Sequence, residues 1–135
     1  MVLDFDKTEI GMRKTMEQLN MFIGEITRMT EQINKSITTR ENIKKVLAQK
    51  IIELTNDIKI VQKHNDDEPD KNVRMNKINN LEKEIQSMKR MSDELNKINK
   101  MAQIDVKTCD AKINEIITSK NKCEEELNKK TKISS

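Results

Sequence analysis

The sequence predicts an all-α chain folded as a long antiparallel helical hairpin, a coiled coil that packs with further helices into a bundle. Three observations carry that prediction. Apolar residues recur at alternating spacings of three and four, the 3.5-residue period of a supercoiled seam. Only two Gly and one Pro occur in 135 residues, too few to turn the chain through a many-element fold, which excludes sheet architectures. The one cluster of helix-breaking residues lies at 64–70 and leaves two halves of nearly equal length. With two Phe and no Trp or Tyr, the chain also lacks the aromatic anchors of a conventional globular core.

The first helix is expected over 6–63. Asp6-Lys7-Thr8-Glu9 forms a start signal in which Asp6 accepts from the amide of Glu9 and Glu9 reaches back, with Phe5 and Ile10 in the two staple positions. The d positions then run Met12, Leu19, Ile26, Ile33, Arg40, Leu47, Leu54 and Val61, and the a positions Met16, Ile23, Thr30, Ile37, Lys44, Ile51 and Ile58. A turn is expected over 64–70. Lys63 and His64 suit the negative end of a helix, Asn65 suits a left-handed cap, and Asp66-Asp67-Glu68-Pro69-Asp70 stops one helix while offering acids to the next.

The second helix is expected over 71–130. Its a positions are Ile78, Ile85, Ser92, Asn99, Val106, Ile113, Lys120 and Leu127, and its d positions Leu81, Met88, Leu95, Ala102, Cys109, Ile116 and Cys123. Each helix has about 60 residues and a length of roughly 90 Å. Equal helices joined by a short break predict one elongated hairpin domain spanning 1–135. Folding about residue 67 or 68 sets Val61 near Arg74, Leu54 opposite Leu81 and Leu19 opposite Ile116. The same register brings Lys50 to Glu84, Asp57 to Lys77 and Arg13 to Glu124, pairs that orient the helices at no more than about 0.5 kcal/mol each.

The seam departs from its pattern in two ways. Arg40, Lys44, Ser92 and Asn99 fall in one mid-hairpin zone, with Thr30 about two turns further along. One reading is a register device, because a buried polar position penalises slipped alignments at a cost in stability. The other is a contact zone in which a further subunit supplies acids to Arg40 and Lys44. The second departure is on one flank, where the g positions Phe22, Met29 and Ile43 of the first helix and Met91 and Ile98 of the second are apolar instead of charged. Such a widened stripe fits packing against a third or fourth helix, since a strict a/d seam suffices for two strands. Nine Met add a deformable surface suited to a partner, or plain core filling. Gly11 and Gly24 lie off the seam at a cost of roughly 1 kcal/mol each. Close approach of another backbone at Gly24 would explain that cost; simple tolerance would also.

Catalytic chemistry is poorly supplied. His64 has no second His or neighbouring Cys with zinc-ligand spacing, and the acids of 66–70 lack the central Gly and closing Glu of a calcium loop. No glycine-rich phosphate loop occurs, and no Ser-His-Asp or Cys-His set can be placed in a pocket. Cys109 and Cys123 stand 14 residues apart on one helix, about 21 Å at its rise, and read as small buried apolar residues. No enzyme activity, cofactor or metal is expected. The formal charge of +3 arises from 26 cations interspersed with 23 anions, a solvated surface and not the basic face of a nucleic-acid binder. No apolar run reaches the roughly 20 residues that span a bilayer, so a cytoplasmic protein without membrane insertion is expected.

A single Arg within a heptad seam resembles the central layer of R-type SNARE helices, and long hairpins joined by a short turn resemble prefoldin subunits. Lys44 in the next layer departs from the first pattern, and a break too short for strand hairpins departs from the second, so neither family is adopted. The expected function is that of a non-enzymatic structural or adaptor subunit, cytoskeletal, axonemal or vesicle-tethering, that docks helices of itself or of other proteins. Its contact residues would be Phe22, Met29, Arg40, Ile43, Lys44, Met91 and Ile98. The alternative is a chaperone-like or regulatory module that clasps a partner through the Met-rich flank.

Overall fold

The computed structural model describes residues 8–63 and 70–134. They form two helices, α1 Glu9–Lys63 and α2 Lys71–Ser134, packed against each other as a helical hairpin. No strand occurs among the described residues.

The cap of α1 differs from the expected one. Thr8 is the capping residue: its hydroxyl accepts from the Gly11 amide at 3.0 Å and its carbonyl from the Met12 amide at 2.8 Å. A Thr there satisfies one of the amides that the first turn leaves open, and the helix starts three residues after Asp6. Asp6 and Phe5 lie outside the described residues, and Glu9 is engaged by Arg13 one turn on, at 3.1 Å. At the other end Lys63 closes α1 as a cation on the last turn, while His64, Asn65 and the acids 66–68 lie outside the described residues. Asp70 does cap α2, its carboxylate accepting from the Asn72 amide at 2.9 Å and its carbonyl from the Arg74 amide at 3.1 Å. The second helix continues four residues past the expected end, since no Gly or Pro follows Leu127 to stop it.

Contacts divide the chain into two compact units, one made of Met1–Lys35 with Ala102–Ser135 and one made of Ser36–Met101. The first unit has the driest packing. Met12 and Cys123 are fully buried and form one cluster with Leu127, against which Met16 packs. Leu19 and Ile116 are buried in the same unit. Removing side chains of this size from water stabilises by about 1.5–3 kcal/mol each. In the second unit Leu47, Leu54 and Ile85 are buried, with Asn99 as the buried polar residue. All of these stand at a or d positions, so the seam follows the heptad pattern. Ile23, Ile33, Ile51 and Ile58 on the same seam are nevertheless only half-buried.

The packing register contains the expected opposition and contacts one helical turn beyond it: Met12 meets Cys123, and Leu19 lines a groove with Ile116, as folding about residue 67 or 68 sets them. Folding about residue 67 or 68 would set Arg40 against residue 95 or 96, yet Arg40 bonds to Asn99. Met12 likewise meets both Cys123 and Leu127, and Val61 shares a groove with both Arg74 and Ile78. Met12 and Val61, both d residues of α1, therefore each sit beside two α2 residues one turn apart. A knob fills a hole bounded by several residues, so pairing one position with one other describes half of each contact. Two of the cations expected to bridge the helices pair on their own helix: Arg13 with Glu9, and Lys50 with Glu53 at 3.8 Å. At Gly24 an added Cβ would meet nothing within 4 Å, so no backbone among the described residues approaches there.

Candidate functional site

The second unit holds a polar layer. Asn99 is 3% exposed, and a buried primary amide must place both its oxygen and its nitrogen. It does so with α1. Arg40 Nε donates to Asn99 Oδ1 at 2.6 Å, and Asn99 Nδ2 donates to Glu41 Oε1 at 2.8 Å. Lys44, one turn on from Arg40 and itself half-buried, donates from Nζ to both carboxylate oxygens of Glu41 at 3.3 and 3.4 Å. The Asn99 amide first, and then the Lys44 ammonium, hold the Glu41 carboxyl below its ordinary 4.5.

Arg40 and Lys44 were both candidate contacts for acids of another subunit. Within the chain Lys44 meets an acid, Glu41, and Arg40 meets the Asn99 amide. Glu41 stands at a flanking position beside the seam, where a carboxylate reads as an ordinary solvated charge, and the sequence reading did not include it. Its signal was adjacency: an acid next to one seam cation and three residues before the other. Ser92 and Thr30 are half-buried, and Thr30 returns its hydroxyl to the Ile26 carbonyl at 2.9 Å.

The apolar flank is exposed. Phe22, Met29, Ile43, Met91 and Ile98 retain between 42% and 53% of their surface in contact with solvent. Ile43 and Met91 are brought together, from α1 and α2, in one open groove of the second unit with Leu95. Phe22 belongs to the first unit, where it lines an open groove of about 340 Å³ with Leu19, Ile26 and Ile116, rimmed by Glu25, Glu115 and Lys112. Further apolar side chains stand in solvent off the flank, among them Met21, Val46, Met101 and Ile104. They occupy outward heptad positions that a seam-based reading passes over.

Thiol chemistry is muted at Cys123. The side chain is fully buried and donates from Sγ to the Met12 carbonyl at 3.4 Å, and burial pushes its thiol up, keeping it protonated. Cys109 is half-buried and both cysteines are free. Among the described residues no group of three His, Cys, Asp or Glu side chains is placed to hold a metal ion, and no helix is long and apolar enough to cross a membrane. Comparison with protein-family models, with curated proteins and with solved structures finds no match for this chain.

Proposed function

We propose that this chain is a non-enzymatic structural or adaptor subunit of the cytoplasm, which docks helices of itself or of other proteins within a larger assembly. One observation carries the reading: the hairpin closes its seam only in part. Five apolar g residues stay about half exposed, and the seam residues Ile23, Ile33, Ile51 and Ile58 are themselves half-covered. Water contact at so many apolar positions is a free-energy cost that further helices would relieve, at about 25 cal/mol for each Å² covered. The polar layer suits the same role, since a satisfied Asn-Arg-Glu set disfavours every alignment that separates its members.

A second reading is favoured by the methionines. Met21, Met29, Met75, Met91 and Met101 are each at least half exposed, and flexible thioethers adapt to varied partners, which fits a module that clasps proteins transiently. Fractionation of native extract by size separates the two. A built-in subunit elutes as one large complex, and M29E combined with M91E should move it to a smaller size while leaving helix content by circular dichroism unchanged. Elution as a small species in native extract would count against the structural role and for the transient clasp.

A further inference from the structure

We propose that the groove containing Ile43, Met91 and Leu95 is a homodimer contact, occupied by the same face of α2 from a second copy of this chain. The inference deepens the proposed docking role and rests on it. To this groove α2 contributes Ser87, Arg90, Met91, Glu94 and Leu95, and α1 contributes Ile43.

Charge identifies the occupant. The groove carries one cation and one anion, Arg90 and Glu94, one helical turn apart on the same helix. Antiparallel packing of two α2 helices about a twofold axis near residue 92 sets Arg90 of each copy over Glu94 of the other and brings the two Met91 side chains together. A face of this kind is its own electrostatic complement. A uniformly acidic or uniformly basic partner helix would meet one of the two charges with its own sign.

Both charges are available for that contact. Among the described residues Arg90 makes no hydrogen bond or ion pair, and Glu94 meets only Lys97, at 3.7 Å with both side chains more than two-thirds exposed. An exposed pair of that kind contributes little and yields readily to a better-placed guanidinium. Ile43 and Met91, exposed in the single chain, would be covered by the same docking.

Sedimentation equilibrium of the purified full chain at micromolar concentration is expected to show a dimer. R90E alone and E94R alone each place like charges at both symmetry-related contacts, so each should weaken the dimer about tenfold or more. Mixed in equal amounts, the two variants present only opposite charges across the axis and should re-form a dimer containing one copy of each. Positions 90 and 94 are exposed, so circular dichroism should show unchanged helix content in each variant, and the mixing step excludes misfolding as the cause of dissociation. A monomeric wild-type chain overturns the second-copy inference; the docking role is then judged separately, by the M29E and M91E effect in native extract. A dimer indifferent to both reversals, or one that mixing fails to restore, also overturns it by placing the contact elsewhere.

Discussion

The cluster of Met12, Cys123 and Leu127 and the pair Arg40 and Asn99 stand at a and d positions of one heptad pattern, the second with Glu41 beside it, yet they are built from opposite chemistry. In the first, two side chains are fully buried and the one polar group, the Cys123 thiol, stays protonated and donates to a backbone carbonyl. In the second, a nearly buried amide is held from both sides by a guanidinium and a carboxylate. The apolar cluster stabilises, and it tolerates any neighbour of similar volume. The polar layer contributes little net energy, because desolvation offsets its bonds, and it accepts one arrangement only. We propose that affinity and register are divided between these two places.

The largest test of this contrast is M12A. Truncating a fully buried Met should cost about 3 kcal/mol in urea unfolding, the sum of lost transfer energy and an unfilled cavity. A loss of about 0.5 kcal/mol or less, the range of surface substitutions, would mean that the cluster is no core. Next in size is N99A, which leaves the Arg40 and Glu41 groups without their partner and should cost about 2 kcal/mol. Replacing Arg40 and Asn99 together by Leu removes both sides of the bond and should instead be neutral or stabilising by about 1 kcal/mol, while sedimentation shows a mixture of species. Changing Arg40 and Lys44 to Leu would not serve, because the buried Asn99 amide would then remain and lose its donor. If the double Leu variant melts below N99A, the layer contributes stability and the division of labour fails.

The smallest effect is that of pH. Glu41 has a folded-state pKa below its ordinary 4.5, so its contribution is fully present above that value and disappears as pH falls through the folded one. E41Q should therefore be less stable than the parent at neutral pH and equal to it in acid below the Glu41 pKa, whereas M12A should keep its deficit at both. An E41Q deficit that persists unchanged in acid would show that the carboxylate charge is not what holds the Asn99 amide.

The apolar flank was legible because periodicity and hydrophobicity suffice to show it: Phe22, Met29, Ile43, Met91 and Ile98 break the g pattern of charges, and all remain exposed. The polar layer was legible in its members on the seam, Arg40, Lys44 and Asn99, and not in its chemistry. Nothing local in the chain pairs Arg40 with a residue 59 positions away, and the flanking Glu41 has the same sequence signature as any solvated acid. Gly24 illustrates the same limit. A glycine inside a helix suggests close packing, and only the placement of neighbouring atoms reveals that the space beside it is open.

By itself the sequence determined the two helices and the a/d stripe that supplies every buried residue named above, because a 3.5-residue apolar period, two off-seam glycines and one proline leave few other ways to bury apolar surface. Tertiary structure decided what depends on which turn of α2 lies beside which turn of α1. Thr8 capping is local, but the offset that places Asn99 against Arg40 and Leu127 beside Met12 is not. Heptads repeat, and many offsets satisfy them equally, so an apolar period alone does not choose which turn of one helix lies beside which turn of the other.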